Sequence, residues 1–135
     1  MSKVRDQPAP AVLVVDDDEA MRKLLQRTLV RAGFAVCTAS HGREALGRVR
    51  AGSIGAVITD MVMPDMDGIE LIRALVVEYP ALPIVAISGA DDWGSYFSMA
   101  LRLGAKIGFQ KPVSPADLIT TMRNLLQTSG RAKDA

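Results

Sequence analysis

The sequence predicts an α/β fold: a doubly wound, five-stranded parallel sheet with five helices packed on its two faces. Short apolar segments alternate five times with segments of helical periodicity. The apolar segments are continuous runs rather than polar–apolar alternations, as befits strands buried on both faces of a parallel sheet. Several of these runs stop abruptly on a charged or hydroxyl residue, which gathers reactive side chains at the carboxyl ends of strands.

Each element has its own local reason. Ala11-Val12-Leu13-Val14-Val15 is the first strand, ended by Asp16-Asp17-Asp18-Glu19. Residues 20–32 form a helix, with Met21, Leu24, Leu25 and Leu29 at helical spacing and Gly33 as its stop. Residues 34–39 make the second strand. Gly42 to Arg50 is a helix with Ala45, Leu46 and Val49 inward, closed by Gly52. The run Ala56-Val57-Ile58-Thr59-Asp60 is a strand that ends on a carboxylate, and the turn after it carries Pro64 and Gly68. The next helix spans about Gly68 to Glu78, with Leu71, Ile72 and Leu75 inward. Ile84-Val85-Ala86-Ile87 is the fourth strand, ending at Ser88-Gly89, and residues 93–103 form a weaker helix stopped by Gly104. Lys106 to Gln110 is the last strand, followed by Lys111-Pro112. Ser114 caps the final helix, Pro115 suits its first position, and Asp117 suits its positive end. Leu118, Met122 and Leu125 line that helix's buried face. Residues 1–10 and 129–135 read as flexible tails around a domain at 11–128.

Composition sets outer bounds. The 135 residues suit one domain, and 49% hydrophobic residues supply a core. Sixteen basic and fifteen acidic residues leave a net charge of +1, so no global field points to nucleic acid or a membrane. The single cysteine, Cys37, forms no internal disulfide and reads as a small buried hydrophobe, so a reducing cytoplasm is the expected location. The apolar runs are too short to span a bilayer, and the amino end lacks the apolar core of a signal peptide.

With the strands in the order 2-1-3-4-5, the switch point lies between the first and third strands, and Asp16, Asp17 and Asp60 converge there. Three carboxylates in one small pocket repel each other. Either some are protonated or a hard divalent cation binds them, and Mg²⁺ suits carboxylates together with phosphate oxygens. Lys111 adds a fixed positive charge and Ser88 a hydroxyl donor. A cation, a hydroxyl and a metal around one carboxylate describe a phosphoryl site, with Asp60 as nucleophile. On its own, Asp16 to Glu19 would read as a helix cap and a solvated first turn, and Asp18 and Glu19 are read so. His41 reads as a surface residue.

These residues resemble the receiver domain of two-component response regulators, in a single-domain form like that of chemotaxis regulators. The resemblance runs from about Ala11 to Leu126. It rests on Val14-Val15-Asp16-Asp17, on Thr59-Asp60-Met61-Val62-Met63-Pro64-Asp65-Met66-Asp67-Gly68, on Ile87-Ser88-Gly89 and on Lys111-Pro112. It implies a flavodoxin-like fold and a phosphorylation switch that is not an enzyme acting on other molecules. Asp60 would accept a phosphoryl group from a phosphohistidine of a sensor kinase or histidine phosphotransfer protein. Asp16, Asp17, Asp60 and the backbone carbonyl of Val62 would hold Mg²⁺, Asp16 through water, while Ser88 and Lys111 would bind phosphoryl oxygens. A cis peptide would precede Pro112. The downstream partner would read the face made by the fourth helix, fifth strand and fifth helix.

The chain departs from the family's pattern at three places. Gly108 stands where the family often has a switch aromatic, and Phe109 beside it should face the other side of the strand. Val62 and Ala90 occupy the two positions that tune phosphate loss in the family, and neither can position a water. Trp93 and Tyr96 are expected to be exposed and to form a docking patch. Two competing readings are a phosphatase of the haloacid-dehalogenase type and a receiver-like module that never takes phosphate. The first calls for an acid two residues after the nucleophile, where Val62 stands; the intact acid, serine and lysine set argues against the second.

Overall fold

The chain is described by a computed structural model covering residues 10–63, 68–89 and 93–134, without the side chains of residues 93 and 128–134. The elements are β1 (Ala11–Val15), α1 (Glu19–Arg31), β2 (Val36–Ala39), α2 (Gly42–Ala51), β3 (Ile54–Asp60), α3 (Gly68–Glu78), β4 (Ile84–Ser88), α4 (Trp93–Leu103), β5 (Ile107–Gln110) and α5 (Pro115–Asp134). All neighbouring strands are parallel, in the order β2-β1-β3-β4-β5. This is the doubly wound topology the alternation predicts.

Strand side chains alternate between two apolar layers. Leu13, Val15, Val57, Ile84 and Ala86 pack with Ala45, Leu46 and Val49 of α2, Leu71, Ile72 and Leu75 of α3 and Ala100 of α4. Val12, Val14, Ala56, Ile58, Val85 and Ile87 pack with Leu25 and Leu29 of α1 and Leu118 and Met122 of α5. Burial on both faces explains why the central strands β1, β3 and β4 are continuous apolar runs, whereas the edge strands β2 and β5 are only partly buried. No helix among the described residues is long and apolar enough to cross a membrane.

Helix ends follow from local hydrogen bonding. Asp18 caps α1, its carboxylate accepting from the backbone N–H groups of Ala20 at 3.0 Å and Met21 at 3.4 Å. His41 caps α2 by accepting from the N–H of Glu44, and the Glu44 carboxylate reaches back to the N–H and hydroxyl of Ser40. Ser114 accepts from the N–H of Asp117 at 3.3 Å, as a cap for α5 should. Cys37 is half-buried against the α2–α4 layer.

Several bounds differ from the sequence reading; β3, for one, begins at Ile54 rather than Ala56. β2 begins at Val36 rather than at residue 34, because Phe34 donates its N–H to the Leu29 carbonyl and belongs to the turn that ends α1. Gly33, at a φ of 99°, makes that turn possible. Leu24, placed on the apolar stripe of α1, is 54% exposed: the inward stripe is centred on Leu25 and Leu29, and Leu24 falls beyond its edge. α5 runs to Asp134. No proline interrupts that stretch, and Gly130 costs a helix only about 1 kcal/mol.

Candidate functional site

The acidic site is assembled by strand register. β1 and β3 pair side by side with Val15 opposite Thr59, so the next residues, Asp16 and Asp60, leave the sheet at the same level. Alternation puts both on the side of Val14 and Ile58, above the α1–α5 layer. Asp16 is fully buried and Asp60 nearly so, whereas Asp17 is exposed. One carboxylate oxygen from each of Asp16, Asp17 and Asp60 lies within 4.8 Å of the others. Buried acids at this spacing are costly unless a positive charge answers them.

Lys111 supplies such a charge. It follows β5 directly, and its backbone N–H extends the β4–β5 ladder by donating to the Ser88 carbonyl at 2.9 Å. From there its side chain reaches back toward β1 and β3. The ammonium lies 3.2 Å from Asp16 Oδ2 and 3.5 Å from Asp60 Oδ2. Its stem passes Gly89, where a Cβ would stand 3.5 Å from it. The Lys111–Pro112 peptide is cis, as the family resemblance implies. Ser88, the last residue of β4, is fully buried at the neighbouring strand end.

The site's electrostatics favour a proton or a cation on Asp60. Burial, followed by repulsion from Asp16 and more weakly Asp17, lifts its carboxyl from 3.8 to about 6 against the pull of Lys111 and the Val62 N–H. That N–H sits 3.5 Å from Asp60 Oδ1, a marginal hydrogen bond. For Lys111, burial disfavours the charged form, but Asp60 and Asp16 together outweigh it and hold the ammonium above its ordinary range. The three carboxylates offer only hard oxygen donors, gathered closely enough that they could serve one metal ion.

Of the residues singled out in the sequence, Asp16, Asp17, Asp60 and Lys111 meet in space, and Ser88 stands at the adjoining strand end. Val62 is 49% exposed in the loop after Asp60. Pro64, Asp65, Met66, Asp67 and Ala90 lie outside the described residues, as does the Trp93 side chain. Phe109 packs against the α1–α5 layer, opposite to the side an aromatic at position 108 would take. Tyr96 corrects the exposed-patch expectation: it is half-buried against the α2–α4 layer, because the inward stripe of α4 runs through it to Ala100. His41 serves as the α2 cap.

Two contributions escaped the sequence reading, which marks Gly68 only as a turn and motif residue and does not single out Arg22. Gly68 opens α3 against the Asp60 backbone: a Cβ there would stand 2.4 Å from the Asp60 carbonyl oxygen and 2.7 Å from Met61 Cα. Its N–H closes the loop by donating to the Met61 carbonyl at 3.1 Å. Arg22 of α1 donates from Nη1 to the Asp16 carbonyl at 2.8 Å.

The sequence profile of the response regulator receiver domain matches residues 12–123. The chain belongs to the response regulator receiver family. Among curated proteins, it is 37% identical over 116 residues to the response regulator MprA of Mycolicibacterium vanbaalenii, covering 86% of this chain and 50% of that protein. It is 36% identical over 115 residues to the C4-dicarboxylate transport transcriptional regulatory protein DctD of Rhizobium meliloti, covering 85% and 25%. It is 34% identical over 118 residues to the alkaline phosphatase synthesis transcriptional regulatory protein PhoP of Bacillus subtilis, covering 87% and 49%. This receiver thus spans between a quarter and about half the length of these relatives. Among solved structures, a CheY-like receiver domain from Methanospirillum hungatei superposes with a TM-score of 0.85 at 25% identity, covering 93% of this chain and 99% of that one. The NtrX receiver domain of Brucella abortus superposes with a TM-score of 0.82 at 29% identity, covering 87% and 98%. The family's place in two-component signalling is therefore the setting for this site.

Proposed function

We propose that this receiver is a phosphorylation switch in which Asp60 accepts a phosphoryl group from a phosphohistidine of a sensor kinase or histidine phosphotransfer protein. The observation that carries this reading is Lys111 meeting two of three clustered carboxylates around Asp60. With its carboxyl held near 6, Asp60 is about nine-tenths ionised at neutral pH and is a competent nucleophile. An Asp60 oxygen bonds to phosphorus as the phosphorus–nitrogen bond of the donor breaks, and the electron pair leaves with the imidazole. Lys111 offers its ammonium, and Ser88 its hydroxyl, to the phosphoryl oxygens. Asp16, Asp17, Asp60 and the Val62 carbonyl are the groups that would hold Mg²⁺, Asp16 through water. When bound, Mg²⁺ neutralises the carboxylates and the charge on the transferred group. The chain then assists transfer to, and loss from, its own side chain, rather than turning over a separate substrate.

Once Asp60 is phosphorylated, the engagement of Ser88 and Lys111 biases the face of α4, β5 and α5, and a downstream protein reads it. The setting is the cytoplasm, and neither nucleic acid nor membrane contacts this domain. Incubation with acetyl phosphate and Mg²⁺, followed by intact mass measurement, tests the reading. One added phosphoryl group that requires Mg²⁺ and vanishes in Asp60→Asn is expected. Unchanged mass in the wild type, or an unaffected Asp60→Asn, refutes it.

A further inference from the structure

β1 ends at Val15, and α1 does not begin until Glu19, so the Asp16 carbonyl belongs to neither. The sheet gives Asp16 one last bond, its N–H donating to the Ala39 carbonyl at 3.2 Å. Beyond that, side chains and the loop itself fix the residue. Oδ1 accepts from the Asp18 N–H at 2.9 Å, Oδ2 faces Lys111 at 3.2 Å, and the carbonyl accepts from Arg22 Nη1 at 2.8 Å. The last of these grips the carbonyl of the Asp16–Asp17 peptide. Asp17 is the exposed member of the acidic cluster, so its own surroundings hold it least.

Arg22 also sits oddly for a helix residue. It lies in the first turn of α1, its N–H bonded to the Asp18 carbonyl, where the helix dipole disfavours a cation. A residue that breaks a local rule calls for a compensating contact, and the charge-assisted bond to Asp16 is one.

We infer that Arg22 is a positioning residue: by holding the Asp16 carbonyl it fixes the Asp16–Asp17 peptide, and through it keeps the Asp17 carboxylate in place beside Asp60 for a divalent cation. The inference rests on the metal-assisted phosphoryl site proposed above. It makes a sign prediction that separates positioning from charge. A guanidinium near the pocket repels a cation, so if its charge were what mattered, removing it would tighten Mg²⁺ binding. If positioning matters, removal weakens binding, as the loss of residues that orient metal ligands does.

The test is calorimetric titration of the full chain with Mg²⁺, for wild type, Arg22→Gln and Arg22→Lys, alongside thermal melts in chelator. We expect Arg22→Gln to weaken Mg²⁺ about tenfold. The Mg²⁺ concentration for half-maximal phosphorylation by acetyl phosphate should rise by the same factor, with the rate recovering at saturating Mg²⁺. Arg22→Lys, which keeps a charged donor, should fall between the two, and it carries the test if Arg22→Gln fails to fold. Equal or tighter Mg²⁺ binding in a folded Arg22 variant, with the wild type binding normally, overturns the inference alone. A wild type that binds no Mg²⁺ overturns the metal-site reading and this inference with it.

Discussion

Replacing Asp60 with asparagine should stabilise the metal-free protein at neutral pH, though it destroys the proposed acceptor. Asp60 is held in a buried pocket beside Asp16, with Asp17 close by, and its carboxyl stands at about 6 rather than 3.8. That difference corresponds to roughly 3 kcal/mol of native-state cost once the group is fully ionised. The Asp60→Asn change removes the charge but also one of the two carboxylates facing Lys111, so the net gain should be about 1–3 kcal/mol. The sign follows from proton linkage. The folded state binds the Asp60 proton more tightly than the unfolded state, so the wild type is relieved of this cost below its unfolded value and loses that relief as pH rises through about 6. The asparagine variant should therefore gain most above about pH 7 and almost nothing near about pH 4. Urea melts in chelator at several pH values measure this, and excess Mg²⁺ should narrow or reverse the gap, since the wild type gains a bound cation and the variant has lost a ligand. A variant less stable than wild type at neutral pH without metal would refute the reasoning, as would a difference that ignores pH.

Other expectations follow from single contacts. Gly68→Ala places a Cβ 2.4 Å from the Asp60 carbonyl oxygen, a backbone atom that cannot swing aside. It should cost roughly 2–3 kcal/mol in a urea melt and slow phosphorylation by displacing the Asp60 strand end. Asp18→Ala removes the α1 cap and should cost about 1 kcal/mol in the same assay while leaving the phosphorylation rate near wild type. Val62 and Ala90, both apolar, should give a slow loss of phosphate; a lifetime of only seconds, followed by mass or phosphate release, would contradict that.

The sheet order and its carboxyl edge were legible because burial on both faces writes the central strands as continuous apolar runs that stop at Asp16, Asp60 and Ser88, while Lys111 stands at the end of the short fifth strand before Pro112. Given parallel pairing, the encounter of two acids far apart in the chain is a matter of register, Val15 opposite Thr59. What the sequence hides is what periodicity cannot express. It shows that a helix has an apolar stripe but not the stripe's centre, so Leu24 reads as inward and Tyr96 as outward. It marks Gly68 as a turn residue without showing the backbone that passes within a bond length or two of where a Cβ would be. Arg22 is invisible because its role is a long-range reach to a main-chain carbonyl, and main-chain acceptors carry no residue identity. Its one signal is a misplaced charge at the positive end of α1.

The most direct trial of the account locates the phosphoryl group. Protein treated with acetyl phosphate and Mg²⁺ is reduced with borohydride, which converts an aspartyl phosphate to homoserine, and its peptides are sequenced by mass spectrometry. The account predicts homoserine at position 60, dependent on Mg²⁺. Homoserine at another acid, or at none while Asp60 is recovered intact, would contradict it.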